Sequence, residues 1–146
     1  MRSSKRSGAC LSTLVIDSWA LIEWTLDQPS ADPVEEILKS GAAGTDQLVM
    51  SWVNAGEALY MIARKRSQHA SEDFLRRLPS LPIRLVLPTV DSFIRAARIK
   101  SKDKLSYADA FAVDLAVQEQ AGIVTGDPEI AALGFVQVVW VGRSAS

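Results

Sequence analysis

The chain has 146 residues, 48% of them hydrophobic and 23% charged, which suits one globular domain and excludes a disordered chain. Its formal net charge of −1 offers no overall attraction to nucleic acid, and its one cysteine, Cys10, excludes an internal disulfide and any multi-cysteine zinc site. No stretch approaches the roughly 18 uninterrupted apolar residues that a membrane span needs, so no membrane partner and a reducing cytoplasm are expected.

In chain order, "MRSSKRSGACLSTLVI" is basic and then mildly apolar, as a signal peptide begins, but Asp17 cuts the apolar run short. Residues 1–11 read as a disordered tail or an early translational start, leaving a single domain over 12–142. Short runs rich in Val, Ile and Leu predict strands at Thr13–Ile16, Gln47–Met50, Ile83–Leu87, Ile123–Thr125 and Val136–Val141. Most are apolar throughout, as strands covered on both faces are. Helices are predicted at Ser18–Leu26, Pro33–Ala42, Val53–Arg66, Ser71–Leu78, Thr89–Lys100 and Tyr107–Gln120, with a short one after Pro128. This alternation indicates βαβ units and a three-layer α/β domain.

Charge is segregated along the chain. Residues 61–77 hold five Lys or Arg against two acids, and residues 78–104 hold six against two. Residues 105–135 hold five acids and no Lys or Arg. Blocks like these set a basic surface beside an acidic pocket, or are solvated helix faces that cluster by chance.

Four acids occupy equivalent places. Asp17 ends the first strand, Asp127 follows "IVTG" with Pro128 behind it, Glu57 lies early in "VNAGEALYMIARK", and Asp109 sits in the first turn of "SYADAFAVDLA". In a parallel sheet such positions converge at the carboxyl edge, where ligands bind. Each alone has a plain explanation as a helix cap: Asp17 and Asp127 as N-caps, Ser106 with Asp109 and Asn54 with Glu57 at capping-box spacing. Capping accounts poorly for the set, because no Lys, Arg or His lies within three residues of any of them. Converging anions repel and desolvate one another. A divalent cation relieves this, and hard oxygen donors favour Mg²⁺ or Mn²⁺. Asp114, five residues beyond Asp109 and about 140° round a helix, points elsewhere.

The stretches "LVIDSWALIEW", "VNAGEALYMIARK", "LSYADAFAVDLA" and "IVTGDPEIAALGF" resemble those of PIN-domain proteins, and among them the VapC toxin ribonucleases of bacterial type II toxin–antitoxin pairs. The resemblance runs from Leu14 to Trp140. It implies an α/β/α sandwich around a parallel sheet of about five strands, and a metal-dependent endoribonuclease held inactive by a cognate antitoxin. Carried over by position, the catalytic and metal-holding acids are Asp17, Glu57, Asp109 and Asp127, with Ser18 and Thr125 supplying hydroxyls beside them. Two departures stand out. Trp19 replaces the small residue usual after the Asp-Ser or Asp-Thr pair, and "KSKDK" before Leu105 is unusually charged. Many such toxins dimerise, so a homodimer is expected; "ALIEW", "ALYMIA" and Trp52 offer apolar surface for it, though the core competes for them.

Chemistry narrows the mechanism. The sole histidine, His69, stands among polar and charged residues and reads as a surface side chain, which excludes a paired-histidine ribonuclease. Phosphodiester hydrolysis then calls for metal-activated water, leaving a 5′-phosphate and a 3′-hydroxyl. Arg64, Lys65, Arg66, Arg95, Arg98, Lys100 and Lys102 are candidates for RNA phosphates, or members of solvated faces. The alternatives are a haloacid-dehalogenase-like phosphohydrolase, which would want a second Asp where Trp19 stands, and a catalytically silent PIN-like binding module.

Overall fold

Apolar runs end at cap-forming residues, and the element boundaries follow. The computed structural model describes residues 12–143. Five strands, β1 (Ser12–Ile16), β2 (Asp46–Ser51), β3 (Ile83–Val86), β4 (Gly122–Thr125) and β5 (Val138–Trp140), form one sheet. Its order is β3-β2-β1-β4-β5, and every neighbouring pair is parallel. The helices are α1 (Ser18–Thr25), α2 (Ala31–Ala42), α3 (Trp52–Lys65), α4 (Gln68–Arg77), α5 (Val90–Lys102), α6 (Tyr107–Glu119) and α7 (Pro128–Ala131), with a 3₁₀ turn at Leu78–Ser80. The expected three-layer α/β/α architecture is observed. The tail expected at residues 1–11, with Cys10, lies outside the described residues.

Strand periodicity builds the layers. Leu14 and Ile16 of β1 join Leu48, Met50 and Val124 under α1, α2, α3 and α4. Between them, Val15 points to the opposite face, with Val49 and Ile123 against Val113 and Ala116 of α6. Both faces are dry, which is why these strands read as continuous apolar runs.

Most boundaries shift by a residue or two. The larger change is α4, which starts at Gln68 because the Ser67 hydroxyl caps it by accepting from the Ala70 amide at 3.0 Å. His69 therefore lies in the first turn of a helix and is exposed. Helix α3 is capped by Ser51, whose hydroxyl accepts from the Val53 amide at 3.1 Å, so the Asn54–Glu57 spacing is not a capping box. Connections from β1 lead outward to β2 and β3, whereas β4 and β5 lie on its other side. The direction reverses between β1 and β4, the place where a doubly wound sheet opens a crevice at its carboxyl edge.

Candidate functional site

Asp17 leaves β1 at that crevice as the N-cap of α1, its Oδ1 accepting from the Ala20 amide at 2.9 Å. The residue is fully buried, and Oδ2 has no hydrogen-bond partner among the described residues. An unpartnered oxygen on a buried acid costs roughly 1–3 kcal/mol, so capping explains only half of this side chain. Asp127, two residues past β4, caps α7 through the Glu129 amide at 2.9 Å. Asp109 lies in the first turn of α6, behind the Ser106 cap. The Ser106 hydroxyl accepts from the Asp109 amide at 3.1 Å, but the reciprocal half of a capping box is missing, which leaves the Asp109 carboxyl free to face Asp127. Glu57, in the second turn of α3, accepts from the Ser18 hydroxyl.

The four acids act on one another. Burial pushes Asp17 up to about 7; the Thr125 hydroxyl and the Ala20 amide oppose that rise, and the charges of Asp127 and Glu57 add to it. Asp109 is pushed up to about 8, first by burial, then by a hydrogen bond with Asp127 and by the charges of Asp127, Asp17 and Glu57. Residues from four separate segments thus share one electrostatic pocket. Its tightest part is Asp109, Asp127 and Glu129, each with a carboxylate oxygen within 4.8 Å of the others. Lys104 reaches Glu129 at 3.9 Å, and no Lys or Arg pairs with Asp17, Glu57, Asp109 or Asp127 among the described residues. An all-oxygen donor set with a stranded buried oxygen fits a hard divalent cation.

A family model described as the PIN domain matches residues 14–136. The chain belongs to the PIN-domain family. Solved structures agree at the level of fold. VapC20 of Mycobacterium tuberculosis, described as a sarcin-ricin loop cleaving toxin, superposes with a TM-score of 0.71 at 16% identity, over 86% of this chain and 98% of that one. DNA-bound VapBC from Salmonella typhimurium gives 0.67 at 10% identity, over 90% and 99%. FitAcB from Neisseria gonorrhoeae gives 0.63 at 16% identity, over 88% and 97%. No curated protein matches the chain in sequence. Membership of the PIN family sets aside the haloacid-dehalogenase-like alternative.

Within this PIN domain the two hydroxyls sit beside the acids. Ser18 donates to Glu57, and Thr125 Oγ1 accepts from the Asp127 amide at 3.0 Å while also flanking Asp17. Asp114 faces away, as its helical angle requires: Arg95 grips it through Nε and a terminal nitrogen at 2.7 and 3.2 Å. Of the basic candidates, Arg95 is thereby engaged between α5 and α6. Lys100 donates to the Leu105 carbonyl at 2.8 Å, and Arg98 and Lys102 are exposed on α5. Arg64, Lys65 and Arg66 end α3, about 10–13 Å along its axis beyond Glu57. There Arg64 lies over the Tyr60 ring and Arg66 donates to the Leu26 carbonyl. The structure does not gather them with the acids.

Two residues escape sequence reasoning. Glu129 completes the tight acid trio, yet in "DPE" it reads as an ordinary first-turn acid favoured by the helix dipole. Asn54 is fully buried and donates to the Ala108 carbonyl at 3.1 Å, tying the helix of Glu57 to that of Asp109. Its signal was a polar residue one turn before Glu57, on the same helix face.

Proposed function

We propose that this PIN-domain protein is a divalent-metal-dependent endoribonuclease and the toxin of a type II toxin–antitoxin pair. The observation that carries the reading is the meeting of four carboxylates from distant segments at one sheet edge, with Asp17 wholly buried and no paired cation. Asp17, Glu57, Asp109 and Asp127 hold Mg²⁺ or Mn²⁺ directly or through water. When bound, the ion supplies Lewis acidity that activates water and offsets charge on the phosphate.

The chain does the rest. Ser18 fixes the Glu57 carboxylate, and Thr125 holds the turn that carries Asp127 while its hydroxyl flanks Asp17. Asp17 is sealed from solvent, whereas Asp109 and Asp127 are partly exposed, so a phosphodiester approaches from their side. Arg98, Lys100 and Lys102 supply phosphate contacts that carry no sequence information, next to the Lys104 arm that reaches the acid trio at Glu129. The products carry a 5′-phosphate and a 3′-hydroxyl.

Support for the toxin role comes from structural relatives described as toxins and toxin–antitoxin complexes. The domain spans 12–142, acts in the cytoplasm, and forms a homodimer. Leu21 and Ile22 of "ALIEW" are buried, so α1 offers little to a dimer; exposed Leu87, Val90, Phe93 and Ile94 form the better apolar surface. A bacterial growth assay tests the role. Wild-type protein expressed alone should arrest growth, a small protein encoded beside it should restore growth, and Asp109→Asn should be harmless. Unimpeded growth with soluble wild-type protein present would remove the toxin reading.

A further inference from the structure

Near the ends of β1, β4 and β5, lined by chain neighbours of Asp17 and Asp127 and not by the four acids themselves, lies a cavity of about 450 Å³ bounded by Trp19, Glu23, Gly126, Pro128, Trp140 and Arg143 among others. Its walls are chain neighbours of the acids: Trp19 follows Asp17 by two residues, Gly126 precedes Asp127 and Pro128 follows it. The volume is that of a small-ligand pocket. Both indoles are held in place. The Trp19 ring covers Gly126 so closely that any Cβ there would overlap it. Trp140 donates its Nε1–H to the Arg143 carbonyl at 2.9 Å and stays 40% exposed. A second hollow, of about 470 Å³, shares Pro128, Trp140 and Arg143 with the first, so these residues stand between two adjoining compartments.

Two fixed indoles, a carboxylate and a guanidinium present flat apolar surface with one acceptor and one cation. This is the chemistry of an unpaired base with its phosphate. Base edges carry N–H donors, base faces stack on aromatic rings whatever the sequence, and unpaired RNA splays its bases out to be bound. We infer that the Trp19–Trp140 cavity is a nucleobase subsite, which takes the unpaired base next to the bond cleaved at the carboxylates. The base stacks on an indole, Glu23 accepts from its N–H edge, and Arg143 meets the adjoining phosphate. Trp19, bulky where a small residue is usual, is then what positions substrate in this chain. The assignment rests on the ribonuclease reading above.

The test titrates full-length protein in EDTA with two 12-nucleotide probes of equal charge, oligoadenylate and an abasic ribose-phosphate chain, following tryptophan fluorescence. Wild type should bind oligoadenylate about tenfold more tightly than the abasic chain. Trp19→Phe should keep most of that preference, and Trp19→Ala should lose it while still binding the abasic chain. Equal affinity of wild type for both probes, in protein that cleaves RNA once Mn²⁺ is added, would overturn the subsite and leave the ribonuclease standing. So would a folded Trp19→Ala protein that keeps the preference, because the base would then be bound outside this cavity. Wild type that neither binds oligoadenylate nor cleaves RNA would overturn both. The probe comparison in wild type needs no variant to fold.

Discussion

Asp109, near the start of α6, and Asp127, just past β4, bring carboxylate oxygens within 4.8 Å of each other without an ion pair to either among the described residues. Two acids at that distance cannot both ionise freely, and burial pushes Asp109 up to about 8. Asp17, raised to about 7, adds to the same burden. The metal-free pocket therefore holds protons that a divalent cation must displace.

Metal binding should accordingly tighten as pH rises and release protons. Titration calorimetry with Mn²⁺ in buffers of different ionisation enthalpy should show proton release that is large at pH 6.5 and small by pH 9. Affinity should gain about tenfold or more over that span. Binding that is independent of pH would mean that Asp17 and Asp109 are not ligands.

Stability of the metal-free protein should run the other way. Both acids have folded values above the 3.8 of an ordinary Asp, so between about pH 4 and 8 the folded chain binds more protons than the unfolded one. Their contribution is full below pH 4 and is lost as pH rises through 7 and 8. Urea melts in EDTA should show a lower midpoint at pH 8.5 than at pH 6. Asp17→Asn keeps the acceptor for the Ala20 amide and should raise stability at pH 8.5 by about 1–3 kcal/mol.

The two aspartates of α6, Asp109 and Asp114, should separate cleanly. Asp109→Asn should cut RNA cleavage by about a thousandfold while the protein stays folded. Asp114→Asn loosens the Arg95 grip and should lower the melting temperature, yet leave cleavage and Mn²⁺ binding unchanged. Loss of activity in the Asp114 variant at a temperature where it is folded would contradict this division.

Gly126 should tolerate no side chain while Trp19 is present. Gly126→Ala drives a methyl into the indole and should destabilise by about 1–3 kcal/mol. Pairing it with Trp19→Ala should recover most of the loss, as a double-mutant cycle would read.

Much of this was legible from the chain. An apolar strand that stops on an acid, as "LVID" does, carries both the parallel sheet and the position of Asp17, because strand coverage and the carboxyl edge follow from the same pattern. Helix starts were legible only where the capping residue announced itself; Ser67 did not, and α4 begins three residues before the periodicity suggests. Asn54, Glu129 and the Trp19 cavity depend on which segments meet in space. The bond of a buried amide to Ala108, 54 residues away, shows in the chain only as a polar residue one turn before Glu57 and does not reveal its partner.

If Asp17, Glu57, Asp109 and Asp127 gather a divalent ion that makes the protein an endoribonuclease, cleavage must depend on both the ion and the acids. The measurement is RNA cleavage by purified wild type and Asp17→Asn protein, each with Mn²⁺ or with excess EDTA. Internal cleavage by wild type with Mn²⁺ alone, with 5′-phosphate ends and none in the other three reactions, is the expected result. Full cleavage by Asp17→Asn protein in EDTA would contradict it.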